Sequence, residues 1–205
     1  MARKQSPDYD DRKSMIQTNA AQIFASVGYH KASVGQITKA CGISKSLVYH
    51  YFPSKQDILY HTLKDHVTKL TTLARSILER DLSAEDSLKA IVFEYLEIYS
   101  DTVAEHHLLI TELSSLDDKQ RQEIIALQNE VVNVFADLAE ELSPAPLDRT
   151  QAKRPVAFLL LGMINWTYTW FKSGGDISAD QLSHIIYQML IGGLRNLQPT
   201  IFSNS

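Results

Sequence analysis

The chain has 205 residues, 44% hydrophobic and 21% charged, a composition that excludes a disordered chain and allows one large or two small domains. Its single cysteine, Cys41, excludes an internal disulfide, and the longest apolar run, Val156 to Ile164, falls short of the ~20 residues that span a bilayer. The net charge of −4 divides unevenly: residues 1–64 carry nine Lys and Arg against four acids, a balance of +5, and the remainder carries −9.

Met1 to Asp11 is polar, holds Arg3 and Lys4, and reads as a loose arm that touches a phosphate or simply stays unstructured. A helix follows from about Asp11 to Val27, with Ile16, Ala20, Ile23, Phe24 and Val27 as its apolar stripe. Gly28 and Tyr29 close it. Ser33, with Gln36 three residues on, forms a capping box for a second helix whose inward face is Val34, Ile37, Ala40 and Cys41. Cys41 reads there as a packed small residue rather than a redox sensor. Gly42 ends this helix, because a left-handed residue costs glycine little. Ser44 caps a third, short helix with Leu47 and Val48 inward and Lys45, Ser46, Tyr49 and His50 outward. Two helices across a tight turn, the second with a polar and non-acidic outer face, are what enters the major groove in helix-turn-helix proteins. The same segment continues through Tyr51 and Phe52 to Ser54-x-x-Asp57, a capping signature that opens a long helix. An open helix start attracts phosphate, and Lys55 beside it adds a cation. The candidate DNA contacts are therefore Ser33, Gln36, Ser44, Lys45, Ser46, Tyr49, His50, Tyr51, Ser54 and Lys55.

The long helix runs through Ile58, Leu59, Leu63, Val67 and Leu70 to about Arg80, and any motion of its far end would move the short helix before it. Ser83-x-x-Asp86 caps the next, with Leu88, Ile91, Val92, Tyr95, Leu96, Ile98 and Tyr99 inward. A shorter helix covers His106 to Leu116, and another long one Lys119 to Leu142. The stretch from Ser143 to Asp148 is the clearest loop. Two last helices run from about Arg149 to Lys172 and from Ser178 to Leu197. The first of these is apolar almost all round, from Ala157 to Phe171, and so must be covered on several sides. The second presents Leu182, Ile185, Ile186, Met189, Leu190 and Leu194. So much apolar surface points to a twofold dimer in which both helices pack against their copies, with a larger monomeric core as the other solution. No strand alternation and no internal repeat is present, and an all-α protein of about nine helices is expected.

Ile16, Ala20, Phe24, Gly28, Tyr29, Ser33, Val34, Ile37, Ala40, Gly42, Ile43, Ser44, Leu47, Tyr49, Tyr51, Phe52, Ser54 and Lys55 together make the N-terminal pattern resemble that of the tetracycline-repressor (TetR) family of transcription regulators. The resemblance is specific over roughly the first sixty residues and looser beyond. It implies an N-terminal three-helix DNA-binding domain, residues 1–57, and a helical effector-binding and dimerisation domain, residues 58–205. It also implies the same homodimer through the last two helices, reading a palindromic operator. Ala32 stands where the family commonly has Thr, and Thr38 and Cys41 where it commonly has Ala, which touches only the phosphate contacts of the second helix.

Phe93, Tyr95, Tyr99, His106, His107, Asn165, Trp166 and Trp170 are the residues that could line a small-molecule pocket, since such sites are apolar with a few polar groups. Asn165 is a polar group in an otherwise apolar helix and needs a partner to be buried cheaply. Gly162–Ser178, GMINWTYTWFKSGGDIS, and Leu190–Leu194, LIGGL, resemble the branch of the family that regulates fatty-acid, aromatic-acid and sterol breakdown. Several members of that branch respond to acyl-CoA thioesters, so the resemblance implies a small hydrophobic effector of that kind. A drug, a free aromatic acid, or a helical interaction protein without DNA binding remain as alternatives. No G-x-S-x-G, phosphate loop, dinucleotide fingerprint or metal-ligand spacing occurs: His61 and His66 are five apart and His106 and His107 adjacent. The expectation is a regulator and not an enzyme, with no cofactor, no metal and no membrane partner, located in the cytoplasm.

Overall fold

In the computed structural model, which describes residues 7–143, 147, 152–172 and 174–196, every regular element among the described residues is helical. Among the described residues nine α-helices follow in order: α1 (Pro7–Val27), α2 (Val34–Cys41), α3 (Lys45–Tyr51), α4 (Lys55–Leu78), α5 (Ala84–Asp101), α6 (Val103–Thr111), α7 (Asp118–Leu142), α8 (Lys153–Asn165) and α9 (Ala179–Arg195). Short 3₁₀ turns at Leu113–Ser115 and Trp166–Thr169 follow α6 and α8. The all-α architecture of about nine helices is as the sequence reads.

Some boundaries differ, for local reasons. α1 begins at Pro7, not near Asp11, because a proline at the first helical position gives up only an amide that would lack a partner there. Part of the expected arm is thus helix; Arg3 and Lys4 lie outside the described residues. α6 starts three residues before His106, at Val103, after Thr102 closes α5 by donating its hydroxyl to the Ile98 carbonyl at 2.6 Å. α8 ends at Asn165 and does not reach Lys172 as one helix. The buried Thr167 hydroxyl takes the Ile164 carbonyl at 2.6 Å, and the chain tightens into the 3₁₀ turn. The expected start of that helix at Arg149, most of the loop from Ser143 to Asp148, and Leu197 lie outside the described residues. Two expected core positions are exposed: Ala40 on α2 and Val27 at the end of α1. α2 spans barely two turns, and Val34 and Ile37 suffice to bury it.

The chain forms two compact units. The first comprises the described residues of Met1–Val67 with Val103–Ile124. Its centre is Ile16, Ala20, Phe24, Ile37, Val48, Phe52, Ile58, Leu59 and Leu63, all fully or almost fully buried, each large side chain contributing about 1.5–3 kcal/mol. α6 packs along α1 within this unit. The second comprises the described residues of Thr68–Thr102 and Ile125–Ser205. There α5 packs on α9 and α8 around Leu88, Ile91, Tyr95, Phe135, Ala157 and Ile164. Tyr187 and Arg195 on α9 both donate to the Glu85 carboxylate on α5. The compact units thus divide the chain differently from the boundary expected at residue 57, with residues 103–124 joining the first unit. Among the described residues no helix is long and apolar enough to cross a membrane.

Candidate nucleic-acid interface

Local hydrogen bonding builds the reader from its own sequence. The Ser33 side chain accepts the Gln36 amide at 3.3 Å, and the Gln36 carboxamide oxygen accepts the Ser33 amide at 2.8 Å, a complete capping box at the start of α2. Gly42 ends α2 with φ +65°, a left-handed conformation, and Ile43 donates back to the Thr38 carbonyl at 3.1 Å. Ser44 then caps α3, its oxygen accepting the Leu47 amide at 3.2 Å and sharing a hydrogen bond with the Ser46 hydroxyl. Val48 is fully buried and Leu47 half-buried, which turns Lys45, Ser46, Tyr49 and His50 outward together, all exposed. Tyr49 is 43% exposed, and the Lys45 ammonium lies 5.8 Å from its ring centre. The face offers hydroxyl, imidazole and ammonium groups and no carboxylate, suited to the acceptor-rich major-groove edge and to phosphate.

The remaining candidate contacts are more committed to the protein itself. Ser33 and Gln36 are exposed but bond one another, and Tyr51 is half-buried with its ring 4.6 Å from that of Tyr9. Ser54 accepts the Asp57 amide at 3.0 Å and donates to the Asp57 carboxylate at 2.7 Å. Lys55 is half-buried, donating to the carbonyls of Tyr29 at 2.9 Å, Ala32 at 3.0 Å and His30 at 3.4 Å, with its ammonium 4.4 Å from the Tyr29 ring centre. Burial, then the charges of Glu112 and Asp57, raise the Tyr29 phenol above its ordinary pKa. Burial also raises the Cys41 thiol, which keeps it protonated and unreactive.

The roles of Tyr9 and Tyr29 have no local signal in the sequence. The same holds for a polar seam inside the first unit. Gln56 donates to Asp117 and Gln120, Gln120 donates to Asp57, and Tyr60 and Lys64 both donate to Glu123. These partners lie about sixty residues apart, beyond the reach of any periodicity argument.

The eight candidate pocket residues fall into three places. Tyr95, Tyr99 and Asn165 come together in the second unit: Tyr99 donates to the side-chain amide oxygen of Asn165 at 2.7 Å, and Tyr95 donates to the Leu70 carbonyl at 3.1 Å. Burial pushes both phenols far above their ordinary pKa, so both stay neutral donors. Phe93 is half-buried on the same helix. Trp166 and Trp170 are 66% and 51% exposed and line an apolar groove of about 580 Å³ between α8 and α9, with Phe158, Leu159, Ile185 and Met189. His106 and His107 sit on α6 in the first unit. His106 is buried, its Nδ1 3.2 Å from Nε2 of buried His66, and His107 is half-buried. Burial, then the neighbouring His66, lowers the His106 pKa from about 6.5 to about 3. Among the described residues no three His, Cys, Asp or Glu side chains gather as metal ligands.

Comparison with known proteins agrees with this arrangement of elements. Residues 16–61 match the family described as "Bacterial regulatory proteins, tetR family", and residues 81–194 match "Tetracyclin repressor-like, C-terminal domain". A TetR-family transcriptional regulator from Bordetella parapertussis 12822 is 35% identical, with a TM-score of 0.83 over 91% of this chain and 97% of that one. The fatty acid metabolism regulator protein of Bacillus subtilis is 22% identical over 86% of this chain and 92% of its own. AibR, solved in complex with isovaleryl coenzyme A and operator DNA, has the same fold, with a TM-score of 0.75 at 22% identity over 88% of this chain and 98% of that one.

Proposed function

The chain belongs to the tetracycline-repressor family of transcriptional regulators, and from that premise we propose that it represses as a homodimer on a palindromic operator and is released by an acyl-CoA thioester. The observation that carries the DNA half is the outer face of α3. Lys45, Ser46, Tyr49 and His50 are capped into register by Ser44 and held out by the buried Val48. These four read base edges, while Ser33, Gln36, Ser44, Tyr51 and Ser54 flank them toward the backbone phosphates. The positive balance of residues 1–64 supports this reading, since phosphate neutralisation supplies most of the affinity.

Dimerisation is supported by the outer faces of α8 and α9. Leu159 is 72% exposed, Trp166 66%, Met189 61% and Phe158 54%, a run of large apolar groups that water leaves at a cost and a second copy would cover. Twofold pairing would set the two α3 helices one turn of DNA apart, ~34–36 Å. The effector half rests on the relatives' names and on the Tyr99–Asn165 pair, a directional polar contact within the apolar core of the second unit.

Selection of bound DNA from a random pool tests the proposal. A palindromic consensus is expected, with Tyr49→Ala losing at least about tenfold in affinity for it. No enrichment, or a Tyr49→Ala protein that binds the recovered site as wild type does, would refute the assigned docking.

A further inference from the structure

The geometry points to Lys55 as the staple that closes the base of the helix-turn-helix and so positions α3, rather than as a phosphate contact. The inference rests on the DNA-reading function of the first unit and adds a residue whose action on DNA is indirect.

A lysine ammonium has three donors and no acceptor. Here three backbone carbonyls lie within reach of it, those of Tyr29, His30 and Ala32, and the Tyr29 ring lies beneath it at 4.4 Å. Its hydrogen-bonding capacity is therefore already committed within the protein. The location explains why. α1 ends at Val27 without a basic residue in its last turn, and Gly28 at φ +88° sends the chain into a turn whose carbonyls point within reach of the Lys55 ammonium. Lys55, at the opposite-signed start of α4, is poorly placed for its own helix dipole and well placed for those carbonyls.

The consequence is topological. Residues 33–54 contain all of α2 and α3, and Lys55 joins the residue after that stretch to the turn just before it. Pinning both ends of a loop removes the freedom of everything between them. The buried Phe52 and Val48 hold α3 from inside, but the direction in which its outer face points depends on where the two ends of the loop are fixed. His30, whose carbonyl Lys55 holds, also has its ring Nε2 3.4 Å from the Ser115 hydroxyl, so the turn is held from a second side within the same unit.

The experiment compares the full-length wild type with Lys55→Met and Lys55→Arg, on the selected operator and on random-sequence duplex, across a salt series. Methionine keeps an apolar stem over the Tyr29 ring and loses all donors. Arginine keeps the charge, but its planar fork cannot converge on three carbonyls from one nitrogen. A staple predicts that both variants lose about tenfold or more on the operator, hold random-sequence affinity within about twofold, and keep the wild-type salt slope. Faster amide exchange over residues 29–37 should accompany the loss. A phosphate contact predicts the opposite. Arginine would bind as wild type, while methionine would weaken both DNAs alike and flatten the log–log slope by about 0.9 per subunit. That pattern, or wild-type operator affinity in Lys55→Met, overturns the inference. Loss of both DNAs by both variants, with a lowered unfolding midpoint, makes Lys55 a stability residue and overturns it too. Wild-type protein that prefers no DNA sequence would instead sink the DNA-reading function itself.

Discussion

The buried imidazole pair of the first unit should make that unit acid-sensitive in a calculable way. His106 on α6 is 1% exposed and in hydrogen-bonding contact with His66 on α4, and its pKa falls to about 3. In the unfolded chain the same group titrates near 6.5. A base whose folded pKa is depressed binds its proton first in the unfolded state, so stability is whole above pH ~6.5 and is lost as pH falls toward 3. Integrating that linkage from pH 7 to pH 5 gives a loss of about 2 kcal/mol from His106 alone. Urea unfolding at the two pH values measures the total, and His106→Gln isolates this share, because glutamine keeps a hydrogen-bonding group toward His66 and has no proton to bind. The variant's loss between pH 7 and pH 5 should be smaller than the wild type's by about 2 kcal/mol. Equal losses in the two proteins would refute the reasoning, for they would mean that His106 takes its proton in the folded state.

Trp166→Glu with Met189→Glu should convert a wild-type dimer to a monomer by sedimentation, since both groups are more than half exposed on the α8–α9 face; a dimer that persists would place the interface elsewhere. Gly42→Ala should destabilise the first unit by about 1 kcal/mol through backbone strain alone, as φ is +65° and an added Cβ meets nothing within 4 Å; an unchanged urea midpoint would contradict this. A panel of long-chain, phenylacetyl and sterol-derived CoA esters should weaken operator binding at micromolar concentration, measured by fluorescence anisotropy. No response across the panel would remove the acyl-CoA effector and leave the DNA-binding function standing.

The parts of this fold that could be read from the chain are those where neighbours in sequence satisfy one another. Ser33 with Gln36, Ser44 with the Leu47 amide, Ser83 with the Asp86 amide and Ser178 with Gln181 are caps closed within three residues, and each marks a helix start within one position. The seven inward residues expected of α5 are all buried, because a 3.6-residue period is a local property. The errors occur where a distant or competing partner decides. Thr167 breaks α8 by capturing the Ile164 carbonyl, which no hydropathy pattern signals. Ala40 has the spacing of a core residue and is exposed, because Val34 and Ile37 already bury the short helix that carries it.

Lys55 shows why the interface was harder to read than the fold. By sequence it stands beside a helix start in a basic segment, and the cheapest explanation of a cation there is an anion outside the protein. In three dimensions the acceptors of its ammonium belong to a turn some twenty-five residues earlier, and the staple inferred above rests on those three carbonyls. The pocket residues divide for a related reason. Aromatic and polar types identify groups able to line a cavity, but α6 is packed along α1 in one unit and α5 on α8 and α9 in the other. His106 is thereby paired with His66 and Asn165 with Tyr99, each satisfied by a partner at least forty residues away. An effector that acts through Asn165 must therefore replace or extend the Tyr99 hydrogen bond. Tyr99→Phe, which removes that hydroxyl and little else, should shift effector affinity before it shifts operator affinity.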